Sequence, residues 1–357
     1  MRTLYVKLLI IILPTVSMVA ITNYTVDPAN IFSSSEYLGG IAVILSKGHN
    51  VDNLSNYDER LLQEQMVKRL PNSPDIIVLG SSRIMEIGSD FFPGKKVLNC
   101  GVSHGGIRDL AAITGLLDSL ARLPPEVVIG LDPYMIGKGG TSEWESLSAY
   151  YDYFLKKTLS ESKEDHGLSN SYRKLSSFFS FDYFKSSLEF LIKRHSKHYW
   201  DIGTGIPLSG RFSDGTIAYP ESYRNPDTLK VALDARITGL KNGLPEPDSV
   251  SIGLLNELLN FLQQRRIAVK FVMTPYQPDF YAAINERQPM LFHRYEAFVR
   301  ELGVKRNIPV IGGFDPINLN ISNAQFYDMY HCSKDALKKI FNANNLTVLQ
   351  KTDNKVI

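Results

Sequence analysis

The chain has only two cysteines, Cys100 and Cys332, among its 357 residues. Two cysteines are too few for a disulfide-rich scaffold or for a cysteine-only zinc site. Net charge is also small, because 39 basic side chains against 37 acidic ones leave a formal charge of +2. No strongly basic domain or stripe stands out, so nucleic acid is not an expected partner. No internal repeat is evident either.

A hydrophobic content of 44% with 21% charged residues is typical of a folded protein. At this length the chain can bury a substantial core and form one large domain, or one domain with a big insertion.

The N-terminus carries a positive flank, Arg2 and Lys7, followed by the uncharged run 8–22. A membrane span needs roughly 20 residues, so this run is short unless neighbouring apolar residues extend it. An uncleaved signal anchor is favoured, because no good small-x-small cleavage site follows the run; a cleaved signal peptide and a buried core helix are the alternatives. Positive residues before a span keep the N-terminus in the cytoplasm, with the remainder of the chain outside.

Short apolar runs alternate with helical patterns over much of the chain. Continuous apolar runs are typical of strands buried on both faces of a parallel sheet. The predicted strands are 76–79, 96–99, 126–130, 269–273 and 308–311, and the predicted helices are 58–70, 107–122, 251–265, 287–305 and a last one from about Lys334. The sequence therefore predicts an α/β fold with a doubly wound, mostly parallel sheet in a flavodoxin-like three-layer arrangement.

The alternation is lost between residues 138 and 248, where Tyr, Phe and Ser are frequent and loops carry Gly and Pro. This segment is predicted to be an inserted cap of helices and irregular pieces. The other predicted parts are a transmembrane helix at 1–25, a juxtamembrane connection at 26–57, the α/β domain at 58–137 and 249–345, and a C-terminal tail at 346–357.

Two distant segments carry the parts of a nucleophilic site. The first predicted strand ends in Gly80-Ser-Ser-Arg83, and Asp328 and His331 lie three residues apart before the last helix. An imidazole that takes the proton of a serine hydroxyl makes it nucleophilic, and a carboxylate orients the imidazole. Each segment alone is more often a turn or a helix cap. In a doubly wound sheet, however, ligands bind at the carboxyl ends of the strands, which is where both segments are predicted.

Four blocks in this order resemble the SGNH (GDSL-type) hydrolase superfamily, particularly membrane-anchored envelope members with Gly-Ser-Ser-Arg in the first block. Gly80-Ser-Ser-Arg83 matches that block, and the resemblance implies Ser82 as nucleophile. Asn99-Cys-Gly-Val-Ser-His-Gly-Gly106 is similar to the second block, Gly130-Leu-Asp-Pro133 lies where the family has Gly-x-Asn, and Asp328-x-x-His331 resembles the last block. The resemblance spans residues 75 to 343 and leaves out the insertion.

The third block departs from the family, because Asp132 replaces an asparagine that donates to the oxyanion. A carboxylate directed at an oxyanion would oppose catalysis, so we expect Asp132 to point elsewhere, paired with Arg83. Either Arg83 or another donor then replaces the asparagine, or activity is lost.

The oxyanion donors are expected to be the Ser82 amide and a backbone N–H of the second block. The candidates for the oxyanion or substrate are Gly101, Ser103, His104, Gly105, Arg83, Asp132 and Tyr276. His104 stands where the family most often has glycine, and Tyr276 belongs to a Thr-Pro-Tyr-Gln segment that follows a strand. No cofactor and no metal are expected.

The resemblance and the outward topology together imply an inner-membrane, single-pass bacterial protein with its catalytic domain in the periplasm or otherwise outside the cytoplasm. Its expected activity is that of a serine esterase or O-acyltransferase on acyl groups, most plausibly acetyl, of a surface polysaccharide. Expected partners are the acylated glycan, the membrane and a membrane protein that supplies acyl donors. The alternative is a non-catalytic accessory protein that binds glycan or assists polysaccharide assembly.

Overall fold

The computed structural model describes residues 2–28, 32, 34–54, 57–137, 143–158, 175–192, 198–220, 223 and 247–342. The predicted tail at 346–357 and part of the predicted insertion lie outside these residues.

The described residues form short strands and longer helices. The strands are β1 (Val51–Asp52), β2 (Ile76–Leu79), β3 (Val97–Asn99), β4 (Glu126–Gly130), β5 (Trp200–Asp201), β6 (Gly210–Arg211), β7 (Ile217–Ala218), β8 (Ala268–Met273) and β9 (Val310–Gly312). The helices are α1 (Arg2–Val26), α2 (Ser34–Ser46), α3 (Glu59–Lys68), α4 (Ile107–Ser119), α5 (Pro133–Ile136), α6 (Ser148–Thr158), α7 (175–179), α8 (Phe181–Ile192), α9 (Ser249–Gln264), α10 (Pro278–Arg287), α11 (Leu291–Arg306) and α12 (334–342).

Five strands form a parallel sheet in the order β3-β2-β4-β8-β9. All five were predicted from their apolar runs, with bounds that differ by at most two residues. Along the chain this is the order 2-1-3-4-5 of flavodoxin-like sheets, in which the ligand crevice lies where the strand order reverses. Here the reversal lies between β2 and β4. The fold is therefore α/β and compatible with the predicted three-layer arrangement.

Both faces of this sheet are buried. Successive side chains of a strand point to opposite faces. In β2, Ile77 and Leu79 belong to a large apolar cluster with the helices α4, α9 and α11, whereas Ile76 and Val78 belong to a second cluster with α12. Burial on both faces explains why these strands are continuously apolar rather than alternating.

The segment 26–57, predicted as a juxtamembrane connection, contains the helix α2 and the strand β1. Leu38, Ile41 and Leu45 of α2 are buried in the larger cluster, as is Val51 of β1. β1 also pairs antiparallel with β5 and β6, and β6 with β7, in a second sheet ordered β5-β1-β6-β7. This segment is thus packed into the fold. Helix α2 packs against the neighbouring helix α3, whereas the pairing partners of β1, the strands β5 and β6, come from the distant insertion.

The inserted segment also contributes to the main core. Helix α6 packs so closely on α4 that a Cβ at Gly115 would come within 2.2 Å of the carbonyl oxygen of Tyr150. The ring of Phe154, on the same helix, lies 5.2 Å from that of Phe261 in α9. Three aromatic residues of this part of the predicted cap, Trp144, Tyr151 and Phe154, are therefore core residues. The division of the chain into domains as a whole stays a prediction.

The predicted N-terminal helix is present as α1, with Pro14 inside it. Near its C-terminal end, the Asn23 side-chain amide donates to the carbonyls of Ser177, Phe178 and Ser180 at 3.0, 3.1 and 2.9 Å. Within the part of the chain that the structure describes, no helix combines the length and the apolar character that a membrane crossing requires. The predicted transmembrane helix is therefore without support from the structure, and anchoring remains a prediction.

Candidate active site

A tight turn at the end of β2 places Ser82. Gly80 has φ +156°, and a Cβ there would lie 2.8 Å from Cγ1 of Ile84, so the turn requires glycine. The next residue, Ser81, is fully buried and begins a 3-10 helix over Ser82–Ile84, accepting the Arg83 N–H at 3.2 Å. Ser82 is therefore at the carboxyl edge of the sheet, beside the reversal of strand order.

The structure brings the three predicted catalytic residues into one hydrogen-bonded array. The Nε2 of His331 lies 2.7 Å from the Oγ of Ser82, and its Nδ1 lies 2.7 Å from Oδ2 of Asp328. A carboxylate only accepts, so the partner assigns the proton of a neutral imidazole to Nδ1 and leaves Nε2 free to accept from the serine hydroxyl. This is the geometry in which a histidine acts as base toward serine.

Asp328 is held by several donors. Its Oδ1 accepts the N–H groups of Tyr330 and His331, both at 2.7 Å, and its Oδ2 accepts the Tyr223 hydroxyl as well as facing His331. Burial disfavours the ionised form, but the bonds from His331, Tyr223 and Tyr330 outweigh it and lower the pKa of Asp328 to about 2. The Asp328 carboxylate is therefore ionised at every pH at which a histidine can act as a base.

This pKa predicts a measurable loss of stability in acid. Because the folded pKa of about 2 lies below the ordinary aspartate pKa of 3.8, the stabilisation from the carboxylate is complete above about pH 4 and is lost as pH falls through about 2. It amounts to about 2 kcal/mol. The free energy of unfolding should be measured by urea titration at about pH 5 and at about pH 2. From the higher to the lower pH, it should fall by about 2 kcal/mol more in wild type than in Asp328→Asn. Equal losses for the two proteins would contradict the depressed pKa.

Two tyrosines of the insertion complete the surroundings of the array. Tyr219 and Tyr223 stack with ring centroids 5.3 Å apart, and the Tyr219 ring lies 5.7 Å from that of His331. The Tyr219 hydroxyl donates to the carbonyl oxygen of Ser82 at 3.2 Å. These contacts were not predictable from the sequence, since both residues lie more than 100 positions from Asp328 and His331 in a segment without regular pattern.

The predicted pair of Arg83 and Asp132 is present, with Nη1 to Oδ1 at 2.8 Å. Arg83 also donates from Nη2 to the carbonyls of Thr274 and Pro275, at 2.5 and 2.8 Å, and from Nε to the carbonyl of Tyr330 at 3.1 Å. Burial disfavours its charge, but Tyr276 and Asp132 favour it and keep the pKa above its usual value. Because Arg83 is 3% exposed and engaged in four hydrogen bonds, it is not available as an oxyanion donor.

Asp132 and Tyr276 both contact Arg83. The second oxygen of Asp132 accepts the Ser81 hydroxyl at 2.5 Å, so the carboxylate points to the Ser81–Arg83 turn and not to the space above Ser82. Tyr276 is fully buried, and the Arg83 guanidinium lies 3.8 Å from its ring centroid. Tyr276, one of the candidates for the oxyanion or substrate, therefore lies in the core with its ring against the Arg83 guanidinium.

The second-block loop, 101–106, lies against the Gly80 turn, since the Val102 N–H donates to the Gly80 oxygen at 3.2 Å. Most of its amides are engaged: those of Gly101, Ser103, Gly105 and Gly106 donate to Asn99 Oδ1, Glu59 Oε2, Val102 O and Asp109 Oδ2, at 2.8, 2.5, 3.0 and 2.8 Å. Gly101, Ser103 and Gly105 are thus unsuited as donors to a substrate.

The backbone N–H groups of Ser82 and His104 donate no hydrogen bond to any residue that the structure describes. His104 is exposed and has φ +52°, a left-handed conformation that glycine adopts far more readily. The backbone of this histidine therefore has the shape of the glycine that the resemblance led us to expect. Of the predicted second-block donors, the structure leaves His104.

The asparagine of the second block, Asn99, has a role that the sequence did not reveal. Its side-chain amide donates to the carbonyls of Ile84 and Ile87 at 2.7 and 2.9 Å, and its Oδ1 accepts from Gly101. It is fully buried and connects the serine turn to the 101–106 loop.

The two cysteines nearby, Cys100 and Cys332, are separate buried thiols, and burial raises the pKa of each to about 12.

No family model matches the chain, and no curated protein matches it either. The fold and the site define the class as far as it is shown: an α/β protein with a Ser-His-Asp array at the carboxyl edge of its parallel sheet.

Proposed function

We propose that the protein is a serine esterase or O-acyltransferase that works through an acyl-enzyme on Ser82. The observation that carries this proposal is the continuous hydrogen-bonded line from Ser82 Oγ through His331 to Asp328, with 2.7 Å at each step. Two unengaged N–H groups, of Ser82 and His104, accompany it on the loops that meet at the Gly80 turn. A nucleophile, an oriented base and preorganised donors are the set that acyl transfer needs.

The proposed reaction has two steps. Ser82 Oγ attacks the acyl carbonyl carbon while its proton passes to His331 Nε2, and the carbonyl oxygen becomes an oxyanion. The intermediate collapses when the bond to the alcohol oxygen breaks, and that oxygen takes the proton from His331. A water or a sugar hydroxyl then gives its proton to His331 and attacks the acyl carbon. The bond from that carbon to Ser82 Oγ breaks, Oγ takes the proton back from His331, and the product is an acid or a new ester. The acceptor decides between hydrolysis and transfer.

The substrate proposal is an acyl group, most plausibly acetyl, on a bacterial surface polysaccharide, with the protein attached to the inner membrane and its domain outside the cytoplasm. Its supports are the four blocks of the SGNH resemblance and the positive flank before the uncharged run at 8–22. A membrane protein that supplies acyl donors is a further proposed partner. Tyr223 is exposed and stacks on the partly buried Tyr219 beside His331, which offers the kind of flat apolar surface on which a sugar ring can pack.

One observation favours a second candidate, a non-catalytic protein that binds glycan or assists polysaccharide assembly. Asp132 stands where the family has the third oxyanion donor, and both its oxygens are occupied by Arg83 and Ser81. The site therefore has two backbone donors and no side-chain donor from this position. Loss of one oxyanion donor typically lowers kcat by about 100- to 1000-fold. A loss of that size would leave little catalytic activity, which is why this feature favours a binding protein.

Covalent labelling separates the two candidates. A fluorophosphonate should modify the folded wild type at Ser82, as located by peptide mass spectrometry, because the reagent requires an activated hydroxyl. His331→Gln keeps a side chain of similar length but removes the base, and we expect its labelling rate to fall on the order of 100-fold or more. Circular dichroism should first show that both proteins are folded. Folded wild type that stays unlabelled would favour the binding protein.

A further inference from the structure

The peptide between Ser103 and His104 is fixed by charged side chains from the start of helix α3. Its carbonyl oxygen, that of Ser103, accepts Nη2 of Arg60 at 3.0 Å. The N–H of Ser103, on the preceding peptide, donates to Oε2 of Glu59 at 2.5 Å. Adjacent residues of one helix therefore hold Ser103 from both sides.

Arg60 is itself immobilised. Its Nε donates to Oδ1 of Asp109 at 2.7 Å, its Nη1 lies 2.9 Å from Oε2 of Glu143, and its side chain is only 5% exposed. The other oxygen of Asp109 accepts the Gly106 N–H at 2.8 Å, so the carboxylate that holds Arg60 also holds the end of the same loop. A buried guanidinium with partners on three sides, of which Asp109 is buried and Glu143 is partly exposed, sets the position of the Ser103 carbonyl closely.

The carbonyl of Ser103 and the N–H of His104 belong to one planar peptide unit. Fixing the carbonyl direction consequently fixes the direction of the N–H on its opposite side. A cationic donor on the oxygen also draws electron density from the peptide and makes its N–H a stronger donor, as in other hydrogen-bond chains of low dielectric. The left-handed conformation of His104 is unfavourable for a non-glycine residue and persists only when its surroundings hold it.

We propose that Arg60 is a positioning residue of the oxyanion site. It orients and polarises the Ser103–His104 peptide, so that the His104 N–H stabilises the negative oxygen formed when Ser82 adds to an acyl carbonyl. This inference rests on the proposed function. Arg60 contacts neither Ser82, His331 nor Asp328 and has no role in substrate binding, so its loss raises the barrier of the chemical step and leaves ground-state binding unchanged.

Steady-state kinetics with p-nitrophenyl acetate give the first test. Arg60→Met should lower kcat roughly tenfold to 100-fold with KM within about twofold of wild type, whereas loss of a residue that shapes the pocket would raise KM. Arg60→Lys should recover part of kcat, because it keeps a positive charge beside Asp109. Recovery should be incomplete, because one ammonium cannot bond Asp109 and the Ser103 carbonyl in the planar geometry of a guanidinium. The matched control is Arg122→Met, which removes a similar bond from arginine to a backbone carbonyl, that of Leu70 at 3.0 Å, far from the loop.

A trifluoromethyl ketone allows a second measurement, the pKa of the oxygen bound at the oxyanion site. This pKa would not change if Arg60 had only a structural role. Ser82 Oγ adds to its carbonyl carbon, the hydroxyl proton passes to His331, and the former carbonyl oxygen occupies the oxyanion site. The pKa of this hemiketal oxygen is measurable by NMR of an isotope-labelled carbonyl carbon. We expect it to be higher in both Arg60 variants than in wild type and Arg122→Met, because the oxyanion loses stabilisation.

The outcomes separate the two proposals. Wild type that neither reacts with the fluorophosphonate nor hydrolyses the ester refutes the proposed function itself. Active wild type with an unchanged kcat and hemiketal pKa in Arg60→Met refutes only the role of Arg60. If Arg60→Met fails to fold, Arg60→Lys decides, since it keeps a positive charge beside Asp109; a hemiketal pKa equal to that of wild type would then refute the inference.

Discussion

Replacing Ser82 by alanine is expected to reduce kcat for p-nitrophenyl acetate and for an acetylated glycan by a factor on the order of 10⁴ or more. The reason is that Oγ is the atom that forms the acyl bond and the only described group that His331 Nε2 contacts. KM should change little, since ground-state binding of the ester does not depend on that bond. A double variant Ser82→Ala, His331→Ala should be about as inactive as the single one, because the residues act as a unit.

The control for this experiment is Ser89→Ala. Ser89 is exposed, follows Ser82 in the same connection between β2 and β3, and its hydroxyl makes no hydrogen bond with the described residues. Its replacement should leave kcat unchanged and the free energy of unfolding within about 0.5 kcal/mol of wild type. Equal turnover by wild type and Ser82→Ala would end the proposed mechanism, whatever the activity of the control.

Arg83→Ala should be the most damaging substitution for stability. It leaves Asp132 as a buried, unpaired carboxylate and removes the donor to the carbonyls of Thr274, Pro275 and Tyr330. Breaking one side of a buried ion pair costs about 3–5 kcal/mol, a large part of the roughly 5–15 kcal/mol that stabilises a typical domain. Urea unfolding should show this loss, and activity should fall with it, because the bond to Tyr330 holds the residue next to His331.

A double variant tests whether Arg83 is needed for charge balance alone. Arg83→Met with Asp132→Asn removes both charges, so it should recover part of the lost stability. Its kcat should stay below wild type, since the Tyr330 carbonyl still lacks its donor and the His331 loop is less well held. Lys68→Ala, which breaks the exposed pair with Glu64, is the reference and should cost less than about 1 kcal/mol. If Arg83→Ala is no more destabilising than this reference, the buried pair does not support the site.

This result would also change how Arg83 is understood. From the sequence, Arg83 was a candidate to replace the missing asparagine at the oxyanion. In the structure it instead joins the turn after β2, the end of β4, the end of β8 and the 326–332 loop, the four segments that meet at the site. An arginine fork can connect this many acceptors because its donors are fixed in one plane.

Local pattern was enough to predict the parallel sheet. A strand buried on both faces must be continuously apolar, and Ile76–Leu79 is followed at once by the glycine that a sharp turn needs, so β2 and the turn after it were visible in nine consecutive residues. The pattern did not distinguish Ser82 from Ser81; the resemblance to the SGNH blocks did, and it also gave Asp328 and His331 their roles. Side-chain periodicity is a local property, and only the strands and helices depend on it.

Contacts between distant segments had no such local sign. Strand β1 was predicted as part of a connection because its partners, β5 and β6, lie about 150 residues further along the chain. Tyr223, Glu59 and Arg60 were likewise missed, since any tyrosine or charged residue at a helix start has the same local appearance whether it faces solvent or the site. A contact between two distant segments cannot be predicted from the local sequence of either segment.

By itself, then, the sequence determined the type of sheet and the edge at which the site lies, because strand burial and turn chemistry depend on neighbouring residues, and its resemblance to the SGNH blocks supplied the three residues of the Ser-His-Asp array. Only the tertiary structure decided which amides remain for an oxyanion, that Arg83 and Asp132 are engaged with each other, and that Arg60 holds the loop of His104. Those outcomes depend on which donors and acceptors are already satisfied, and satisfaction is a property of the whole packed fold.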